Sequence, residues 1–321
     1  MKQRMVLALG GNMLQPVGGE ASAEAQKEMA EKIGDLVVAL ARKYDIIMTH
    51  GNGPQVGSIM LHEEEAATKE APAMPLETAV AMTAGQMGYW LEQGVRNAFA
   101  RQGREKQVVS LVTQVVVDRR DKAFAEPTKP IGKFYTAKEA TRLKRRGWQM
   151  VKVSAAEAGA EEPRWRRVVP SPLPRDIVEK KIVADLLAQG VIVITLGGGG
   201  VPVYRTRVRK VLKGVDAVVD KDYAAEKMAV AVGADVLAMV TAVPNAYIHY
   251  GEPAQMALGA VTAAEAMKYI AAGQFAAGSM APKMTAGVAF ARSKAGRRAV
   301  VTSPENLLAA LEGKAGTVIC G

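Results

Sequence analysis

Short apolar runs alternate along this chain with longer stretches in which apolar residues return every third or fourth position. The runs at 5–9, 45–49, 107–117, 191–196, 236–241, 298–302 and 316–319 read as strands, and their near-continuous apolar character is that of strands covered on both faces. The stretch 21–43 carries Met29, Ile33, Leu36, Val37 and Leu40 at helical spacing, and 80–101, 175–189, 223–232, 263–272, 283–295 and 304–312 predict further helices. Strand 5–9, helix 21–43 and strand 45–49 form a βαβ unit, which implies a parallel sheet. Alternation continues to the end without an internal repeat, so the expected class is α/β.

One segment breaks the rhythm. Residues 118–174 are charged, hold six prolines and contain Trp148 and Trp165, two of the three tryptophans. So long an insertion with its own tryptophans and a helix-like stretch at 137–146 reads as an ordered subdomain projecting from the sheet. With 321 residues, 49% of them hydrophobic, the chain is long enough for one large α/β domain or two lobes. Cys320 is the single cysteine, so an intrachain disulfide is excluded, nothing suggests a thiolate metal site, and a reducing, cytoplasmic setting is expected. No run reaches the roughly 18 apolar residues of a membrane span, and neither a signal peptide nor a transmembrane segment is expected.

A net charge of +10 raises the question of nucleic acid. The cations cluster at Arg142, Lys144, Arg145, Arg146, Lys152, Arg164, Arg166 and Arg167, and again at Arg205, Arg207, Arg209, Lys210 and Lys213. Aromatic residues make up only 5% of the chain, too few for a base-stacking platform, so these faces are read as solvated surfaces of a protein that handles small anions.

The candidate chemistry lies in three glycine turns, each placed after an apolar run: Gly10-Gly-Asn12, His50-Gly-Asn-Gly53 and Gly197-Gly-Gly-Gly200. Glycine lets bare backbone N–H groups approach an anion, and a turn from strand into helix adds the positive end of the helix dipole. The three histidines, His50, His62 and His249, lack a metal-binding or triad spacing, and His50 either lines the site or is a hydrogen-bonded structural residue. Neither a Walker A loop nor a Gly-x-Gly-x-x-Gly fingerprint occurs. Three lysines stand out by context: Lys129 between prolines, Lys221 between two acids at the start of a helix, and Lys283 after Gly278-Ser-Met-Ala-Pro. Fixed cations of this kind are what phosphoryl transfer needs. Asp222 is placed to hold a cation while capping the helix that follows.

With these residues the chain resembles the carbamate kinases, within the amino acid kinase fold. The resemblance runs nearly end to end through Ala8-Leu-Gly-Gly-Asn12, Thr49-His-Gly-Asn-Gly-Pro-Gln-Val-Gly57, Gly88-Tyr-Trp-Leu91, Leu111-Val-Thr-Gln-Val115, Pro127-Thr-Lys-Pro-Ile-Gly132, Trp165-Arg-Arg-Val-Val-Pro-Ser-Pro172, Gly197 to Pro202, Leu212-Lys-Gly-Val215, Val219-Asp-Lys-Asp222 and Gln274-Phe-Ala-Ala-Gly-Ser-Met280. Related branches of the fold share the glycine turns but not the Thr-Lys-Pro segment or the Val-Val-Pro-Ser-Pro run.

The resemblance implies a three-layer αβα sandwich around a mainly parallel sheet, with an acceptor lobe in 1–200, a lid at about 118–174 and a nucleotide lobe in 201–321. It implies a homodimer, a setting in arginine metabolism, and reversible phosphoryl transfer between carbamoyl phosphate and ADP with Mg²⁺ on the nucleotide. Carried over by position, Gly10, Gly11, Asn12, Gly51, Asn52 and Gly53 would hold carbamoyl phosphate. Lys129 would reach in from the lid, Lys221 and Lys283 would neutralise the transferring group, and Asp222 would orient the lysines. Gly198, Gly199, Tyr250 and Met280 would line the nucleotide side. The chain departs from the family's usual pattern at Ala84, Lys133 and Glu252. A kinase of another small acid and a catalytically silent regulatory relative are the competing readings, and no nucleic-acid or membrane partner is expected.

Overall fold

The computed structural model describes residues 2–10, 13–15, 22–154 and 160–321. Its main sheet has eight strands: β1 (Gln3–Leu9), β2 (Tyr44–His50), β3 (Val108–Ser110), β4 (Ile192–Ile194), β5 (Val236–Val240), β6 (Ala260–Thr262), β7 (Arg298–Thr302) and β8 (Thr317–Cys320). They lie side by side in the order β6-β8-β7-β5-β1-β2-β4-β3. Every pairing from β7 across to β3 is parallel, whereas β8 runs antiparallel to β7 and carries β6 parallel to itself.

The helices are α1 (Ala23–Leu40), α2 (Gly53–Ala66), α3 (Leu76–Ala100), α4 (Ala137–Arg145), α5 (Lys180–Ala188), α6 (Lys221–Ala231), α7 (Ala263–Ala271), α8 (Met280–Arg292) and α9 (Leu307–Leu311). Alternation along β1 decides which helices cover which face. Met5, Leu7 and Leu9 pack with Val37 and Leu40 of α1, Leu91, Val95 and Phe99 of α3, and Leu307 of α9. Val6 and Ala8 face the opposite layer, with Val183 of α5, Ala225 and Met228 of α6, and Met284 and Phe290 of α8. Both faces are apolar and both are covered, which gives the αβα sandwich.

Three sequence expectations change. The run 107–117 is two strands: β3 pairs with β4, while Gln114–Val117 joins a smaller sheet with Val201–Arg205, Leu212–Gly214 and Pro174–Ile177. The stretch 175–189 is not one helix, because Pro174–Ile177 is a strand and α5 begins only at Lys180. Helix α2 was not anticipated; its signal was Pro54 in the first helical turn after Asn52, with Val56 and Met60 buried four residues apart.

The insertion has a three-stranded antiparallel sheet of its own, Lys129–Tyr135 and Met150–Val153 flanking Arg164–Val169. Ile131, Tyr135, Ala140, Leu143 and Val153 are buried in it, with the Trp148 ring edge-on to Tyr135 at 6.0 Å. This subdomain is seated on the body by a third cluster, in which Ile131 and Val169 meet Val56 and Met60 of α2 and Val80 of α3. The contact is backbone-close: a Cβ on Gly57 of α2 would lie 1.9 Å from the Cα of Gly132, so only glycine permits this approach. Arg167 adds an ion pair to Glu64 of α2 at 3.0 Å.

Candidate active site

The three glycine turns gather at the ends of β1, β2 and β4, which are neighbours in the sheet. The N–H of Gly10 donates to Val240 O at 2.9 Å and that of Gly51 to Leu9 O at 3.2 Å, so both turns are pinned to adjacent strand ends. Gly11 and Asn12 lie outside the described residues. Asn52 is the N-cap residue of α2, yet its side chain makes no cap bond; its Nδ2 donates instead to Thr83 Oγ1 at 2.8 Å. The first-turn N–H groups of α2 therefore have no side-chain acceptor from their own cap, and nothing lies within 4 Å of where a Cβ of Gly53 would stand. That is a helix N-terminus open to an anion.

The third turn differs from the expectation of a strand feeding a helix. Gly197–Gly199 is a single 3₁₀ turn that leads into the strand Val201–Arg205, so it contributes no helix dipole. What it contributes is closeness. Gly198, Gly199 and Gly200 have φ of 66°, 91° and 86°, in the left-handed region. A Cβ on Gly198 would lie 2.2 Å from Asn52 Nδ2, and one on Gly199 would lie 2.0 Å from Val219 O. The turn is thus wedged between the cap of α2 and the segment that leads into Lys221.

At the head of α6 the three lysines come together around two acids. Lys221 Nζ donates to Asp222 Oδ1 at 2.6 Å, and Lys283 Nζ, from the first turn of α8, donates to Asp222 Oδ2 at 3.0 Å. Lys129 Nζ, from the first residue of the subdomain strand Lys129–Tyr135, donates to Asp220 Oδ2 at 2.5 Å. Lys221 and Lys283 are only 9% and 7% exposed, an unusual position for ammonium groups. Asp220, not Asp222, is the cap of α6: its Oδ1 accepts the Asp222 N–H at 2.9 Å. The expected division of labour is therefore corrected, with Asp220 capping and Asp222 free to spend both oxygens on cations.

Electrostatics follow from this packing. Burial alone would raise Asp222, but the ammonium groups of Lys221 and Lys283 overcome it and hold the carboxyl at about 2. Burial pulls Lys221 below its usual range, opposed by Asp222 and reinforced by Lys283. His50, 2% exposed at the end of β2, is pushed down to about 4, chiefly by burial, against its contact with Gly51 O and with help from the Lys221 charge. It is a neutral imidazole at pH 7.

Met280 is the first residue of α8, one turn before Lys283, and packs partly buried against the main core. Tyr250 is 66% exposed with its ring against Tyr247 at 5.8 Å. Of the departures, Ala84 is buried beside Gly197, while Lys133 and Glu252 are exposed and face Glu139 and His249. Sequence reasoning missed Asp220 and Thr83. Asp220 was visible as the first acid of Asp-Lys-Asp; nothing in the sequence marks Thr83 as the partner of Asn52.

The sandwich has counterparts among known proteins. Residues 3–303 match the model of the amino acid kinase family, and the chain belongs to that family. A carbamate kinase of Pyrococcus horikoshii is 43% identical over 322 residues, covering 99% of each chain, and a carbamate kinase-like protein of Escherichia coli is 43% identical over 322 residues, covering 100% of each. The structure of carbamate kinase from Giardia lamblia bound to AMP-PNP superimposes with a TM-score of 0.88 at 37% identity, covering 99% of this chain and 98% of the other. Within the family, the chain falls in the carbamate kinase branch.

Proposed function

We propose that this protein is a carbamate kinase that transfers a phosphoryl group reversibly between carbamoyl phosphate and ADP, giving carbamate and ATP. The observation that carries the reading is the convergence of Lys129, Lys221 and Lys283 on Asp220 and Asp222 beside the open N-terminus of α2. In the forward step the bond from phosphorus to the carbamoyl oxygen breaks, and a bond forms to a terminal oxygen of ADP. The nucleophile is already an anion and carbamate leaves as one, so no proton has to move. That matches a site of fixed charges with His50 held neutral. The work is positioning and charge stabilisation on the equatorial oxygens.

In this reading Gly10, Gly11, Asn12, Gly51, Asn52 and Gly53 hold carbamoyl phosphate, with the α2 dipole behind it, and Lys129 reaches the same end from the lid. Lys221 and Lys283 neutralise the transferring group, Asp222 orients them, and Gly198, Gly199, Tyr250 and Met280 face the nucleotide. A Mg²⁺ carried in on the nucleotide would supply positive charge against its phosphates. Asp220 and Asp222 are already tied to ammonium groups, so the residues present fit an ion that arrives on the nucleotide. The lobes divide near residue 200, and a homodimer in a cytoplasmic setting completes the proposal. Among the described residues no helix is long and apolar enough to cross a membrane.

A coupled assay of ATP formation from ADP with carbamoyl phosphate, run beside acetyl phosphate and acetylglutamyl phosphate, tests the reading. Turnover with carbamoyl phosphate alone is expected. Preference for another acyl phosphate would make this a kinase of a different small acid, and no turnover with any of them would make it a silent relative.

A further inference from the structure

Asp220 is an acid at the head of α6 to which the carbamate kinase reading gives no task, yet both of its oxygens are engaged. Oδ1 caps α6 by accepting the Asp222 N–H, and Oδ2 accepts Lys129 Nζ from 91 residues away in the chain. The first bond fixes where the carboxylate stands, because the residue it holds is itself clamped between Lys221 and Lys283. The second passes that position to a lysine on another subdomain. The Asp220 side chain is 8% exposed, so its charge is poorly hydrated and depends on the cation, whereas Lys129 is 28% exposed and would otherwise sample many rotamers.

The geometry points to Asp220 as the positioning residue for Lys129: it sets the lid's ammonium in the cleft at a place dictated by the opposite side of the site. A lysine has three N–H donors, so the bond to Asp220 leaves two for phosphoryl oxygens. The lid lysine and the Lys221–Asp222–Lys283 clamp then form one preorganised unit, and the lid delivers its charge in register only when it meets the head of α6. This inference rests on the reading of Lys129 as a catalytic charge.

The test is a double-mutant cycle in the full chain with D220N, K129A and the pair together, following kcat, KM for both substrates and the thermal midpoint. Asparagine keeps an oxygen for the Asp222 N–H and is itself a good N-cap, but it turns an amide N–H₂ toward the ammonium. K129A is expected to lower kcat by about 10². D220N is expected to lower kcat by about tenfold, with KM for ADP within about threefold of the parent and a smaller drop in thermal midpoint than D220A. The double variant should be slower than K129A by much less than the tenfold cost of D220N alone, since Asp220 acts chiefly through that lysine and only secondarily through its charge near Lys221. D220A, which also loses the cap, should melt earlier than D220N. Wild-type kcat in D220N beside a slow K129A would overturn the positioning role alone. So would a double variant slowed by the full product of the two single effects. Wild-type turnover in K129A would overturn both this role and the reading of Lys129.

Discussion

Asp222→Asn is the most informative single change, because one nearly isosteric substitution removes the only charge shared by two buried ammonium groups. Asp222 is 2% exposed, and its oxygens accept Lys221 at 2.6 Å and Lys283 at 3.0 Å. A carboxyl held at about 2, below the ordinary 3.8, is stabilised as the anion even after the cost of burying it. Its removal also takes from Lys221 and Lys283 their one directly bonded carboxylate, leaving Lys221 only the more distant charge of Asp220, and one of the two ammonium groups then faces an amide N–H₂. Breaking a buried pair of this kind costs about 3–5 kcal/mol, so the variant should unfold at markedly lower urea concentration. The rate should suffer for a related reason. Asp222 is what opposes the burial that pulls Lys221 down, and without it Lys221 loses its proton at lower pH. Turnover should fall by about 10² at neutral pH, and the alkaline limb of the kcat profile should move toward neutrality. Urea melts and kcat–pH profiles of both proteins read the two effects separately. A variant within about threefold of the parent kcat with an unmoved alkaline limb would refute the argument that Asp222 keeps the lysines charged.

Lys221→Ala should lower kcat by about 10² or more in a folded protein, and Lys221→Arg should not restore it, because a planar fork does not fit a point-charge site; near-normal turnover in the alanine variant would remove Lys221 from the mechanism. His50 should make the protein less stable in acid. Its folded pKa of about 4 lies below the ordinary 6.5, so the unfolded chain binds the extra proton, and roughly 3 kcal/mol of stability is lost as pH falls from 6.5 to 4. His50→Gln should flatten that part of a stability–pH curve, and an unchanged slope would show that the histidine stays charged when folded. Gly57→Ala should push the strand Lys129–Tyr135 off α2, since its Cβ would meet Gly132 Cα at 1.9 Å; kcat should fall while ADP affinity measured by calorimetry holds, and a parental kcat would show that lysine delivery does not need this contact.

Local rules carried a large part of this protein. Periodicity alone placed β1, β2, β5, β7, α1, α6 and α7 to within a few residues, because a strand covered on both faces and an amphipathic helix each write their geometry into consecutive positions. The glycine turns and the contexts of Lys129, Lys221 and Lys283 were equally visible, since a tight turn or a proline-flanked lysine is a property of neighbours in sequence. What the chain could not show by itself was pairing. Residues 107–117 look like one strand, but β3 and Gln114–Val117 find different partners and so belong to different sheets. Asp220 caps α6 instead of Asp222 because the helix begins at Lys221, two residues before the stretch the periodicity marks, which puts Asp222 inside its first turn. Lys129 and Asp220 are 91 positions apart, and Lys283 and Asp222 are 61. Only the packing of the lid on α2 and of α8 beside α6 brings those charges within hydrogen-bond reach, and once buried, the low dielectric makes their mutual arrangement, not their individual identities, decide how the site behaves.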